Sequence, residues 1–166
     1  KDYKVQLAKN DLQHIEGYVQ LDGGNLSQQI KINIPEAGLQ TIVTTDANGK
    51  ATFTIPVKKI SYWTTENPIR YHVSITSNTD SASDEIGFRT IEAKGTDILL
   101  NGKPVFLRGI CLHDENPLIP GRPRNISDCR MLLNWAKELN CNFIRLAHYP
   151  HNEEESRLAD SMGILL

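Results

Sequence analysis

Two histidines, an arginine and a few carboxylates carry whatever chemistry this sequence can do. His113 stands in Cys111-Leu112-His113-Asp114-Glu115-Asn116-Pro117, and His148 in Arg145-Leu146-Ala147-His148-Tyr149-Pro150-His151. Both follow short apolar runs, so both fall where a strand ends. An imidazole there can bond a hydroxyl, move a proton or ligate a metal. Asp114 and Glu115 could form a general acid/base pair, although a turn after a strand carries acids simply because it is wet. His113, His148 and His151 with Asp114 have the donor types of a zinc site. No close pair of them shares a rigid element, since His148 and His151 straddle Pro150, and no metal is assigned. Arg145 lies inside an apolar run. Burying a guanidinium is costly unless a carboxylate pairs with it, and no such partner lies in the same element. Glu153-Glu154-Glu155 reads as a helix's first turn, where the helix dipole favours acids, and not as catalytic.

The composition bounds the rest. A net charge of −2 over 166 residues gives no electrostatic case for nucleic acid or an anionic membrane. No apolar run approaches the ~20 residues that cross a bilayer. The start, Lys1-Asp2-Tyr3-Lys4, reads as a cut end and assigns no compartment. Cys111, Cys129 and Cys141 are odd in number and lack a Cys-x-x-Cys pair, so buried free thiols are expected.

The elements that position these residues have two grammars. Residues 1 to about 90 alternate with period two: Val5 and Leu7; Tyr18 to Leu21; Ile30, Ile32 and Ile34; Ile42-Val43; Ala51, Phe53, Ile55 and Val57; Tyr71, Val73 and Ile75; Ile86 and Phe88. Turn residues separate the runs at Asp22-Gly23-Gly24-Asn25, Pro35-Glu36-Ala37-Gly38, Asn48-Gly49 and Ser77-Asn78-Thr79-Asp80. About seven short strands predict a small β-sandwich. Tyr62 and Trp63 read as core or rim aromatics packed at a strand edge.

After Thr90 the pattern changes. A hairpin turns at Asn101-Gly102, and Val105 to Leu112 reads as a strand buried on both faces. A helix follows, capped by Ser127, with Leu132, Trp135, Ala136 and Leu139 on one stripe and Asn140 as its left-handed terminator. Phe143 to Ala147 is the next strand. Asn152 caps a second helix, with Glu155 as its capping-box partner, Leu158, Ala159 and Met162 as its apolar face, and Gly163 ending it. Ile164-Leu165-Leu166 begins a third strand. Strand, helix, strand, helix, strand is a run of βαβ units. A full α/β barrel needs ~250 residues, so these would be its first third. Its chemistry lies at the strands' carboxyl ends, which would put His113 and His148 on one lip.

Asn142-Phe143-Ile144-Arg145-Leu146-Ala147-His148-Tyr149-Pro150, followed by Asp160-Ser161-Met162-Gly163-Ile164-Leu165-Leu166, resembles the first signature of glycoside hydrolase family 2, the bacterial β-galactosidase and β-glucuronidase group. Leu100 to Gly109 and His113 to Leu118 resemble the family's entry into its barrel, and Asn67-Pro68 and Gly87-Phe88-Arg89 its immunoglobulin-like domain. Leu146 departs from the small residues the family prefers between the arginine and the histidine. The resemblance implies an immunoglobulin-like β-sandwich over residues 1–92 and the first third of a (β/α)8 TIM barrel over residues 93–166. It implies a sugar-binding jelly-roll domain before residue 1 and the remaining barrel after Leu166. The activity implied is retaining hydrolysis of terminal β-galactosides. A β-glucuronidase segment is the alternative, and a non-catalytic spacer or interaction module is the other. His113 and His148 match substrate-binding histidines, with Asp114 a further possibility, and Arg145 matches the arginine that orients the nucleophilic glutamate. The acid/base and nucleophile lie beyond Leu166, as do the β-galactosidase branch's magnesium ligands, so no cofactor is expected here and the segment alone is expected to be inactive. The implied partner is a carbohydrate, with no nucleic acid or membrane, and an open partial barrel is expected to self-associate. The implied setting is bacterial, cytoplasmic or periplasmic.

Overall fold

The structure, a computed structural model, describes residues 2–9, 11–22 and 27–166. Most of the Asp22-Gly23-Gly24-Asn25 turn lies outside the described residues. The chain is mostly β with few helices and divides into two compact units. One comprises Lys1–Tyr62 with Ile69–Lys103, and the other Trp63–Pro68 with Pro104–Leu166. The first unit thus runs on to Lys103 and takes in the hairpin that follows Thr90.

Seven strands build most of the first unit: β1 (Asp2–Leu7), β2 (His14–Gln20), β3 (Gln29–Ile34), β4 (Leu39–Thr44), β5 (Lys50–Pro56), β6 (Tyr71–Thr76) and β7 (Ser81–Ile86). They form two antiparallel sheets, ordered β1-β2-β5 and β4-β3-β6-β7. Every second residue points inward, so Val5, Leu7, Ile15, Phe53 and Ile55 of one sheet share an apolar core with Ile30, Ile32, Ile34, Val73 and Ile75 of the other. Each fully buried isoleucine contributes about 1.5–3 kcal/mol. Gly17 lies opposite Phe53, and a Cβ there would collide with the Phe53 ring and the Lys4 carbonyl. β7 is an edge strand of Ser, Ala, Asp and Glu ending in Ile86, and its two acids discourage further pairing. β8 (Ile91–Lys94), β9 (Asp97–Leu100) and β10 (Lys103–Pro104) form a meander whose second turn has Asn101 at φ 52° and Gly102 at φ 75°.

The second unit is α/β: β11 (Gly109–Leu112), α1 (Ile126–Glu138), β12 (Phe143–Leu146) and α2 (Glu153–Met162), with Phe143 bridging to Leu165 in parallel. β11 and β12 pair in parallel. Their helix-facing residues pack with Cys129, Leu133, Ala136, Leu158 and Ile164 in one core. Burial pushes the Cys129 thiol up to about 11.

Several expectations for this unit need correction. β11 is only four residues long and exposed on alternate positions, because the face away from the helices is uncovered in this two-stranded sheet. Residues 105–108 are not strand, and Phe106 is exposed. Asn125, not Ser127, caps α1: its side chain accepts from the Ser127 and Asp128 N–H groups. The buried stripe of α1 is Cys129, Leu132, Leu133 and Ala136, rotated away from Trp135 and Leu139, which are exposed. Cys111 is exposed, unlike Cys129 and Cys141. Trp63 is fully buried and belongs with α2, its Nε1 donating to the Asp160 carbonyl at 2.7 Å.

Candidate functional site

The polar residues collect at the carboxyl ends of β11 and β12. The strands are in register with Cys111 opposite Arg145 and Leu112 opposite Leu146. Side chains alternate between faces. Ile110, Leu112, Ile144 and Leu146 therefore turn towards the helices, while Cys111 and Arg145 share the uncovered face. Arg145 is exposed, not buried as its apolar run suggested, and no carboxylate pairs with it among the described residues. Its guanidinium reaches Cys111 Sγ at 3.9 Å and His148 Nδ1 at 3.3 Å. A guanidinium can only donate, so His148 Nδ1 holds a lone pair there and a neutral ring carries its hydrogen on Nε2. His148 thus offers an N–H donor. Its ring meets that of His113 edge-on, with centroids 5.7 Å apart. Two strand-end histidines and one arginine share a rim.

Beside the rim the side chains of Asp114, His151 and Glu155 are buried, with Arg122 and Tyr149 exposed over them. Asp114 does not join the histidines: it is 2% exposed, and its Oδ2 pairs with Arg122 Nε at 2.9 Å. Glu115 is exposed beside His113, 3.9 Å from its Nδ1. Tyr149 ties the two loops together. Its hydroxyl accepts from the Asp114 N–H at 3.2 Å, its ring stacks on His151 at 5.2 Å, and the Arg122 guanidinium lies over it at 5.2 Å. Arg122 also donates to the Pro150 carbonyl at 2.9 Å.

His151 is fully engaged. Its Nε2 faces the Ala147 carbonyl at 3.2 Å and its Nδ1 faces Glu155 Oε2 at 2.7 Å. A carbonyl only accepts, so Nε2 carries a hydrogen, and one further proton lies between Nδ1 and Glu155. Burial pushes the Glu155 carboxyl above its ordinary range, against the lowering effect of the His151 hydrogen bond. Glu155 Oε1 and Asp114 Oδ1 are buried without a partner, which costs about 1–3 kcal/mol each.

Asp114, His151 and Glu155 bring ligand-type atoms within 4.8 Å of one another. Donors about 2.0–2.2 Å from one tetrahedral ion stand more than 3 Å apart. The His151–Glu155 contact is shorter than that, and Arg122 already neutralises Asp114. The trio is shaped around a proton. The first-turn acids of α2 divide accordingly. Glu153 is exposed and pairs with Arg157, whereas Glu155 is buried on His151 and does not reach back to Asn152. The sequence did carry a signal for Glu155. It stands at i relative to Leu158, Ala159 and Met162 at i+3, i+4 and i+7, which puts a carboxylate on the helix's apolar face. Arg122, Tyr149 and His151 gave no such signal.

Residues 91–166 match the TIM barrel domain of the glycosyl hydrolases family 2. The chain is 31% identical over 134 residues to a β-galactosidase of Arthrobacter sp. (strain B7), covering 81% of this chain and 13% of that one. It is 40% identical over 87 residues to a β-glucuronidase of Streptococcus agalactiae serotype V, covering 52% of this chain and 14% of that one. Among solved structures, a GH2 β-galacturonidase from Eisenbergiella tayi bound to galacturonate superposes with a TM-score of 0.77 at 26% identity, over 98% of this chain and 30% of that one. Residues 91–166 thus belong to glycoside hydrolase family 2. The chain spans about an eighth of the length of the curated relatives it matches.

Proposed function

We propose that the protein carrying this chain is a retaining glycosidase acting on terminal β-galactosides, and that this chain supplies part of its sugar site. The observation that carries the reading is the shared rim of His113, His148 and Arg145 at the ends of two parallel strands, within the stretch that matches the family. His148 Nε2–H is set to donate to a sugar hydroxyl, with His113 beside it. Arg145, exposed and without a carboxylate partner among the described residues, is set to hold the carboxylate nucleophile. In a retaining mechanism two carboxylates ~5 Å apart act as nucleophile and acid/base. Asp114 and Glu155 are near each other but closed to a sugar, and Glu115, exposed beside His113, is a single carboxylate; on this reading both catalytic carboxylates come from other strands and the 166-residue chain alone is inactive. Any magnesium of the whole enzyme is likewise held by residues outside this chain.

The strand orders β1-β2-β5 and β4-β3-β6-β7 around one core support an immunoglobulin-like sandwich, and the β11-α1-β12-α2 unit supports the opening third of a (β/α)8 barrel. A uronide substrate is the second reading, favoured by the 40% identity to a β-glucuronidase and by the galacturonate-bound structure. The test is hydrolysis of aryl β-galactoside, β-glucuronide and β-galacturonide by the full-length protein and by this chain. Cleavage of the galactoside by the full-length protein alone is expected. Turnover of only a uronide would replace the galactoside, and no turnover of any glycoside would leave a non-catalytic module.

A further inference from the structure

The geometry points to Glu155 as a positioning residue that sets the placement of His148 through His151 and the Ala147 carbonyl; the inference rests on the reading of the rim as a sugar site. Three observations carry it. The hydrogen-bond chain is continuous: Glu155 Oε2 to His151 Nδ1 at 2.7 Å, and His151 Nε2 to the Ala147 oxygen at 3.2 Å, on the peptide that leads into His148. Both side chains of the chain's first link are at most 1% exposed, so water does not compete for these bonds. The link also reaches the other loop, because the His151 ring supports Tyr149, whose hydroxyl receives the Asp114 N–H next to His113. One buried carboxylate on α2 therefore fixes the backbone beneath both histidines.

Stability does not explain the arrangement. It leaves Glu155 Oε1 and Asp114 Oδ1 buried and unpaired, and apolar residues of similar volume would avoid that cost. What an apolar pair could not do is hold the Ala147 carbonyl, which needs a hydrogen-bond donor such as His151 Nε2–H. Rotation of that peptide would move the His148 ring off Arg145, from which its Nδ1 now lies 3.3 Å.

The test uses the full-length protein as wild type, Glu155→Ala, Glu155→Gln and the double variant His151→Phe/Glu155→Leu. Histidine carbethoxylation is followed site by site by mass spectrometry, alongside kcat and KM on the best aryl glycoside. In Glu155→Ala, the His148 rate shifts severalfold from its wild-type value and His151 becomes reactive, while His14 and His72 react as in wild type. The glutamine, which can donate to His151 Nδ1 and leave Nε2–H on Ala147, restores the wild-type pattern. The double variant melts no lower than wild type yet shows the same His148 shift. It judges the inference on its own should Glu155→Ala fail to fold. Where the enzyme turns over, kcat falls about a hundredfold with a smaller change in KM, and glutamine restores it. An unchanged His148 rate in either the alanine or the double variant overturns the inference. Absence of glycosidase activity in wild type overturns the sugar-site reading instead, and the histidine rates still decide whether Glu155 positions His148.

Discussion

At the scale of single residues, Glu155 stands apart from the exposed acids of its own helix turn. It is fully buried. The groups facing it are His151, which favours its ionised form, Asp114, which opposes it, and Arg122, which favours it weakly. Burial outweighs them, so the folded protein holds the Glu155 proton to higher pH than the unfolded chain does. The sign follows. Below the unfolded value of 4.5 both states are protonated and the contribution to stability is fully present. As pH rises the unfolded chain ionises first, and stability falls until the folded carboxyl ionises too. Glu155→Gln has no such loss. Urea unfolding from pH 4 to 8 should show wild type losing stability relative to Glu155→Gln, by at most about 1.4 kcal/mol per pH unit within the window. Asp46 and Glu66 run the other way: backbone N–H groups hold Asp46 low and the Thr65 hydroxyl holds Glu66 low. Their share is lost as pH falls through their folded values. A difference curve flat in pH would mean that burial does not dominate at Glu155.

At the scale of elements, the helices show what a sequence pattern can and cannot fix. Asn140 at φ 58° and Gly163 at φ 73° end or follow their helices in the left-handed conformation, as their types imply. Asn152 caps α2 as read. The start of α1 was misread by two residues because Asn125 and Ser127 are both good caps and lie two apart. Which one caps depends on where the chain enters the helix, and that is a tertiary matter. The misread start also accompanied a misread face. Trp135 and Leu139 fit a helical stripe as well as Cys129 and Leu133 do, and only the position of β11 and β12 selects the second. The structure makes a sharp prediction here. Asn125→Ala removes the acceptor for two N–H groups and should cost about 1 kcal/mol, whereas Ser127→Ala should cost almost nothing. Chemical denaturation of the two variants decides it, and equal costs would return the cap to Ser127.

At the scale of the whole chain, the strand pattern was legible because each β-strand needs only its own alternation. Ile30, Ile32 and Ile34 announce β3 whatever their neighbours are. The rim was legible in part for the same local reason: His113 and His148 each end an apolar run. The polar cluster beside it was not, since buried Asp114, His151 and Glu155 and exposed Arg122 and Tyr149 meet only after two loops and a helix have packed. The same limit applies to Arg145, read as buried because its run is apolar, and exposed because its face of the two-stranded sheet is uncovered. That uncovered character extends across the second unit. Phe106, Leu118 and Leu139 are each more than two-thirds exposed, and Trp135 is 42% exposed. Large apolar side chains in such numbers favour association over solvation. The 166-residue chain should therefore self-associate, with light scattering after gel filtration giving a mass above the 18.7 kDa monomer that grows with loading concentration. Phe106→Ser with Leu139→Gln should shift it towards monomer without unfolding the first unit, whose core contains neither residue. A chain monomeric at every concentration, with no binding of a hydrophobic dye, would mean that these side chains find cover within the chain in solution.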